Sequence, residues 1–342
     1  MSSTSFTVSV VIPGFNRLEP LKQTLRSAAS AATALGEPVE ILVVDDGSSP
    51  PLGEQLAGFD AGRPFTVLRQ GNQGSMVARL AGLRAAGGEF VLFLDSDDLV
   101  HPDKLHRQIA AMRARGAQIS YSDMAEYALD PAGQPEFSPG ARLTTTADPL
   151  TFFLQVQPVP HNPIYRRDYL RQHLDEPMIP ARREFDPVGD VWIYYNLLTF
   201  PVRIAKVDAP LTAIGRHEED RYSRHWEKLG VASLQLMEAF AAACPRTTET
   251  LAARVAAGEC AFNSWRRLPR DFHPGFDARM LALWRRAPHG PLRHLGGRLF
   301  QALARMLGPE LAGRLLRRWR GGSYAACRSL SDEEYRHLFA AF

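Results

Sequence analysis

Residues 88–98 read Gly-Glu-Phe-Val-Leu-Phe-Leu-Asp-Ser-Asp-Asp. The apolar part, 90–94, is continuous rather than alternating, which is typical of a strand buried on both faces of a sheet. Carboxylates follow it at once, and those at positions i and i+2 of an extended segment point to the same side. Their hard oxygens suit Mg²⁺ or Mn²⁺, although an acidic turn before a helix would fit the pattern as well.

Four similar apolar runs lie in the first 125 residues, separated by amphipathic stretches. This alternation predicts an α/β fold with a mostly parallel sheet, which binds ligands beyond the carboxyl ends of its strands. Two more strand ends are polar, at 13–16 (Pro-Gly-Phe-Asn) and 45–48 (Asp-Asp-Gly-Ser). The predicted strands are 8–12, 39–44, 65–68, 90–94 and 118–121, and the predicted helices are 18–35, 52–57, 75–86 and 102–115.

The rest of the chain predicts a second half and a helical tail. Residues 126–160 are rich in Pro, Gly and Thr and predict a loop, and Asp186-Pro187 predicts the N-cap and first position of a helix. We expect one domain at 1–221, divided at residue 125, and a helical, Arg-rich region at 222–342. The other elements expected in the first domain are a strand near 159–165, helices at 167–174 and 186–198, and a strand at 202–207.

The composition indicates a globular protein and the cellular compartment in which it works. Hydrophobic residues make up 45% and charged residues 23% of the 342 residues, which is typical of a globular chain. Three cysteines at no metal-ligand spacing predict free thiols in a reducing compartment. The first residues lack a basic leader, and no apolar run approaches the ~18 residues that a membrane span needs. We therefore predict a cytoplasmic protein.

Two further motifs could contact a ligand. The loop Gly71-Asn-Gln-Gly74, followed by Arg79, precedes a predicted helix. Glycine lets the backbone approach a ligand closely, and a helix N-terminus with an arginine favours an anion such as a diphosphate; a surface loop with a solvated arginine is the alternative. Asp45 or Asp46 could accept hydrogen bonds from a base or ribose, or could form a plain Asp-Gly turn.

In combination, these motifs resemble glycosyltransferase family 2, inverting enzymes of the GT-A fold. No single motif is specific, but their order and spacing over the first 100 or so residues match the family. The stretches are Val8-Ser-Val-Val-Ile-Pro-Gly-Phe-Asn16, Ile41-Leu-Val-Val-Asp-Asp-Gly-Ser48, Gly71-Asn-Gln-Gly74 with Ala78-Arg79, and residues 88–98.

The resemblance implies a nucleoside-diphosphate-sugar donor, UDP-sugar first, an acceptor hydroxyl, and Mn²⁺ or Mg²⁺ as cofactor. Residues 1–125 would be the nucleotide-binding half and 126–221 the acceptor half. Asp97 would be the principal metal ligand, with Asp95 and His217 as further ligands, although His217 could equally be a surface residue. The nucleotide would contact Pro13, Phe15, Asn16, Asp45, Asp46, Gly74, Arg79 and Asp95; the resemblance does not decide between Asp45 and Asp46 for the base.

The stretch Val188-Gly-Asp-Val-Trp192 looks like the start of the family's catalytic helix, which often begins Glu-Asp. Gly189 replaces the Glu, so Asp190 is the one candidate for the general base. Asp190 could instead be a first-turn carboxylate that stabilises the helix dipole. Because of Gly189, a non-catalytic module that binds nucleotide sugars or a lipid surface remains an alternative.

Other enzyme classes fit the sequence less well. A sugar nucleotidyltransferase needs a Gly-rich loop with Lys or Arg after the first strand, which residues 13–16 do not form. A dinucleotide oxidoreductase needs Gly-x-Gly-x-x-Gly, and the sequence has neither this motif nor a Walker A loop.

The C-terminal region is basic. Residues 225–342 hold 18 Lys and Arg against 10 Asp and Glu, so they carry +8, and the total of +3 leaves −5 for residues 1–224. Between 279 and 320 there are ten arginines and one acidic residue, Glu310. The segment predicts either a peripheral membrane contact or a helix packed on its own domain, and without interleaved aromatics it does not predict nucleic-acid binding. Leu295, Leu299, Leu303, Met306 and Leu307 are expected on one helical face, and Arg298 and Arg305 on another.

Overall fold

The computed structural model describes residues 5–130, 135–215, 225–340 and 342. Contacts divide the chain into two compact units, Met1–Glu218 and Glu219–Phe342. The predicted domain boundary after residue 221 and the candidate ligand His217 both lie within 216–224, outside the described residues.

A mixed sheet forms the first unit, and nine strands of it are described. The strand order is β3-β2-β1-β4-β8-β6-β9-β5, with β7 paired to β6. The strands are β1 (Val8–Gly14), β2 (Val39–Asp45), β3 (Thr66–Arg69), β4 (Phe90–Phe93), β5 (Leu99–Val100), β6 (Ile119–Leu129), β7 (Pro135–Pro139), β8 (Ile164–Arg166) and β9 (Ile204–Ala213).

The predicted alternation of strands and helices is confirmed for the first four strands. They pair in parallel, with Val8 opposite both Val39 and Phe90. Leu21 and Leu25 of the first helix join Val10 in a core on one face of the sheet, which explains the continuous apolar runs. The helices are α1 (Leu18–Leu35), α2 (Leu52–Gln55), α3 (Ser75–Ala85) and α4 (Lys104–Arg115).

Two predictions about the centre of the chain are wrong. The strand predicted at 118–121 is β6, but β8 lies between it and β4 and is antiparallel to both. Residues 126–160 are not one loop, because β6 and β7 form an antiparallel pair from Ala125–Pro139 to Leu129–Pro135. The prolines suggested a loop, yet an edge strand such as β7 tolerates them. A helical segment follows, α5 (Pro149–Thr151), which continues as a π-helical turn at Phe152–Val156.

The second half of this unit contains two further helices among its described residues, α6 (Arg167–Leu174) and α7 (Gly189–Leu197). The helix predicted to open with Asp186 as N-cap begins at Gly189 instead, after a 3₁₀ turn at Arg183–Val188. Asp186 does not cap α7 because its carboxylate contacts α3. The strand predicted at 202–207 continues to Ala213.

The second unit is helical in its described residues, as predicted from residue 222 onward. Within the described ranges, no helix is long and apolar enough to cross a membrane. The helices are α8 (Trp226–Ala243), α9 (Leu251–Arg267), α10 (Pro274–Arg286), α11 (Arg298–Leu307), α12 (Pro309–Arg320) and α13 (Asp332–Leu338).

Candidate active site

The loops after β1 and β2 are joined by Asn16. Its N–H donates to Ser48 Oγ and its Oδ1 accepts from the Ser49 N–H, both at 2.9 Å. Asn16 has a φ of 51°, a left-handed conformation that Asn tolerates better than most residues. Pro13 is buried within β1, whereas Phe15 is 44% exposed at the end of the strand. The Phe15 ring is therefore available to stack on a planar ligand.

Asp45 has no exposed surface. Its Oδ1 accepts from the Ser48 N–H at 2.8 Å, and its Oδ2 accepts from the Leu52 N–H at 3.0 Å and from Arg69 Nη1 at 3.1 Å. The Asp45 carboxylate thus holds the turn between β2 and α2, and a ligand cannot reach it in this conformation.

Asp46 holds the loop before α3. Its Oδ1 accepts from Gln70 Nε2 at 2.8 Å and from the Gln73 N–H at 2.9 Å, and its Oδ2 accepts from the Gly74 N–H at 2.8 Å. The carboxylates of both aspartates therefore shape the edge of the sheet, and contact with a base stays a prediction.

Gly74 is in close contact with Asp186, in the turn before α7. Its φ is 98°, and a Cβ at this position would lie 1.8 Å from Asp186 Oδ2. Asp186 also accepts from the Met76 N–H at 3.2 Å, and burial raises the pKa of its carboxyl. The N–H groups of Gln73, Gly74 and Met76 at this helix start thus donate to Asp46 and Asp186. Diphosphate binding by this loop stays a prediction.

Gly74→Ala is expected to destabilise the first unit by roughly 2–4 kcal/mol, because strain at positive φ adds to the clash with Asp186. Gly58→Ala is the matched control: Gly58 has a φ of 76°, and a Cβ added there would meet nothing within 4 Å, so only the strain applies. Urea unfolding of both variants measures the difference, and equal losses would contradict the close contact.

Arg79 links three carboxylates on three different elements. Its side chain is nearly buried, and Nη2 donates to Asp95 Oδ1 at 2.5 Å. Asp95, Asp190 and Asp186 all stabilise the charged guanidinium and raise its pKa, against the opposing effect of burial. Asp95 follows β4 and Asp190 starts α7, so Arg79 of α3 brings the metal-side and base-side candidates together.

Asp190 is a partly buried carboxylate in this group. Burial raises its pKa, and the Asp95 charge adds to the rise, whereas the Val191 N–H (2.9 Å) and Arg79 oppose it. Burial and the Asp95 charge thus make Asp190 more basic than an exposed aspartate. Its role as general base, like the alternative role at the helix dipole, stays a prediction.

The remaining carboxylates after β4 have different partners. Asp97, expected to be the principal metal ligand, forms an ion pair with Arg17. Asp98 Oδ1 accepts from the Gly215 N–H at 2.7 Å, and its Oδ2 lies 2.8 Å from Nδ1 of His161.

Asp95, Asp98 and His161 form a candidate metal centre. Their ligand atoms all lie within 4.8 Å of one another. His161 is 1% exposed, and its Nε2 has no hydrogen-bond partner within the described ranges. A divalent cation bound by one of the two His161 nitrogens and by both carboxylates would give these buried groups a partner, so the residues fit such an ion. The predicted set of Asp95, Asp97 and His217 named neither Asp98 nor His161.

The signals that could have found these residues are weak. Asp98 belongs to the acidic motif, but the i, i+2 argument favours Asp97 over it. His161 stands in Val159-Pro-His-Asn-Pro163, far from the motif, and no ligand spacing marks it. Folding alone brings it to the strand end.

With this sheet and these acidic strand ends, the first unit has a GT-A-like fold. Residues 9–174, just under half of the chain, match the model of the family "Glycosyl transferase family 2". EpsH of Bacillus subtilis, which bears a glycosyltransferase name, is 28% identical over 244 residues, or 69% of this chain and 68% of EpsH. The succinoglycan biosynthesis protein ExoO of Rhizobium meliloti is 35% identical over 123 residues, 36% of this chain and 34% of ExoO.

Solved structures show the same fold. TarS 1–349 of S. aureus has a TM-score of 0.62 at 18% identity, covering 92% of this chain and 91% of TarS. It has also been solved with UDP-GlcNAc. The mannosyltransferase PcManGT of Pyrobaculum calidifontis, solved with GDP-Man and Mn²⁺, has a TM-score of 0.54 at 14% identity, covering 98% and 88% of the two chains.

Proposed function

We propose that this chain transfers a sugar from a nucleoside-diphosphate sugar, a UDP-sugar first, to an acceptor hydroxyl with inversion at the anomeric carbon. The observation that carries the proposal is the position of Arg79, hydrogen-bonded to Asp95 and electrostatically coupled to Asp190. A donor-side carboxylate and a candidate base thereby share one site. TarS with UDP-GlcNAc and PcManGT with GDP-Man support a nucleotide-sugar donor at the level of the fold.

On the donor side, Phe15 flanks the base and Asn16 fixes the loop that presents it. Asp45 has no exposed surface and Asp46 is 4% exposed, so Asp46 is the one of the two that a nucleotide could reach. Gly74 and Arg79 act indirectly in this proposal: Gly74 permits the close approach of Asp186, and Arg79 orients Asp95 and Asp190.

Asp95, Asp98 and His161 would hold Mn²⁺ or Mg²⁺, and the Mn²⁺ complex of PcManGT is consistent with such a cofactor. When bound, the cation offsets the negative charge that develops on the departing diphosphate. Asp97 remains an alternative ligand, provided that its ion pair with Arg17 opens. His217 keeps its predicted role as a further ligand.

On the acceptor side, Asp190 accepts the proton of the attacking hydroxyl as this hydroxyl bonds to the anomeric carbon. One displacement converts an α-linked donor into a β-linked product. The acceptor is a glycan, a glycolipid or another hydroxyl compound in polysaccharide or glycoconjugate biosynthesis. The relative ExoO is named for succinoglycan biosynthesis, which favours a polysaccharide. Sugar transfer would take place in the cytoplasm, as the cysteine usage predicts.

A panel of UDP-, GDP- and dTDP-sugars tests the donor class. We expect UDP-sugars to raise the melting temperature when Mn²⁺ is present and to leave it unchanged in EDTA, because ligands that bind only the folded chain stabilise it. If no nucleotide sugar stabilises the chain, the proposal is wrong. Stabilisation without release of nucleoside diphosphate, across an acceptor panel, would favour the non-catalytic binding module instead.

A further inference from the structure

Two neighbouring helices of the second unit expose an apolar surface. Among the described residues, ten large apolar side chains are exposed, and six of them belong to α11 and α12. Met306 and Trp319 are the most exposed, at 81% and 71%. We call this set the α11–α12 surface: Leu299, Met306, Leu307, Leu311, Leu315 and Trp319.

On α12 the apolar and basic side chains share the exposed side. Leu311, Leu315 and Trp319 follow one another at intervals of four residues and form a stripe. Arg314 and Arg318 are exposed beside it. At about 100° per residue, all five lie within an arc of about 140°. The buried residues of α12 lie on the opposite side.

The same arrangement recurs on α11. Leu299, Met306 and Leu307 lie within an arc of about 100°, and the exposed Arg298 and Arg305 lie to one side of it. The two helices pack against each other. Leu295, which we expected on this face, is instead buried before α11 begins.

The positive charge around this surface favours an anionic partner. Residues 279–320 contain ten arginines, and their one acidic residue, Glu310, is hydrogen-bonded to Arg285. A second copy of the chain docked on this surface would bring arginines against arginines. An anionic lipid surface offers acyl chains to the leucines and Trp319, and phosphates to the arginines.

We propose that the α11–α12 surface binds anionic lipid bilayers peripherally, with Leu315, Trp319 and their apolar neighbours in the interface and the arginines on the phosphates. The binding does not depend on the proposed sugar transfer, because it uses residues of the second unit alone. It would hold the enzyme at a membrane, where lipid-linked acceptors reside.

Flotation of the full chain with phosphatidylcholine vesicles, with or without phosphatidylglycerol, tests the proposal. We expect the wild type to float only with the anionic vesicles at low salt, and to be released by high salt. Replacing Arg314 and Arg318 by Gln should weaken binding roughly tenfold or more. Replacing Arg84 and Arg142, exposed arginines of the first unit, removes the same charge and should leave binding unchanged.

Tryptophan fluorescence gives a second readout. The fluorescence emission of Trp319 should shift to shorter wavelength when anionic vesicles are added. The Trp319→Phe variant should lose this shift, because the emission of the other tryptophans does not change. No flotation at low salt would overturn the proposal, and an acidic protein partner would then be the occupant to test. An equal loss in the Arg84 and Arg142 control would also overturn it, because net charge alone would then explain binding.

Discussion

Asp190→Asn is expected to lower kcat roughly 10²–10⁴-fold, the usual size of general-base catalysis, while the affinity for the donor stays nearly unchanged. The exchange keeps the shape of the side chain and most of its hydrogen bonds but removes the basic oxygen. A base need only reach the attacking hydroxyl, so the nucleotide contacts should survive. Single-turnover kinetics and donor titration of the variant measure the two effects separately.

Asp168→Asn is the matched control, because Asp168 also stands in the first turn of a helix, α6, but is exposed. If Asp190 served only the helix dipole, the two variants would lose similar small amounts of stability and neither would lose kcat. The pH dependence offers a further check. Since burial raises the pKa of Asp190, wild-type activity should fall as pH falls through that raised pKa. The Asn variant should lack this acidic limb.

The second large effect that we expect is the loss of sugar transfer when the metal is removed. EDTA should abolish transfer, and Mn²⁺ should restore it. His161→Ala should raise the Mn²⁺ concentration needed for half-maximal activity roughly 100-fold or more, because a ligand is lost from a centre of three. Activity measured against Mn²⁺ concentration gives this shift directly.

Two comparisons make the metal prediction specific. His101→Ala removes a histidine outside the cluster, and the metal requirement should not change. Asp97→Asn distinguishes the ligand set predicted from the acidic motif, which includes Asp97, from the cluster seen in the structure, which does not. If Asp97→Asn raises the metal requirement more than His161→Ala does, the assignment from the acidic motif holds and the cluster of Asp95, Asp98 and His161 is wrong. Unfolding of each variant without metal shows whether folding alone explains a loss.

Much of the structure of residues 1–125 could be predicted from the sequence because its signals are local. Buried parallel strands require continuous apolar runs, and α1 was predicted with its observed bounds, Leu18–Leu35. Because parallel strands end at one edge, the sequence also predicted which edge of the sheet carries these aspartates. Asp45, Asp46 and Asp95 all lie at these ends.

The parts that sequence reasoning missed depend on contacts between distant segments. The three residues of β8 carry no sequence pattern that predicts their position in the sheet between β4 and β6. Asp186 fits an N-cap pattern, but the space left by Gly74, 112 positions earlier, lets it contact α3 instead. His161 carries no spacing signal, and only the fold brings it to Asp98.

A crystal grown with UDP and Mn²⁺ tests most directly whether donor, metal and base share one site. Anomalous scattering locates the ion independently of any assumption about its ligands. We predict an ion peak among Asp95, Asp98 and His161, in contact with the diphosphate, with the Asp190 carboxylate facing the space that the sugar would fill. An ion bound away from this strand end, or Asp190 turned away from the nucleotide, would contradict the account.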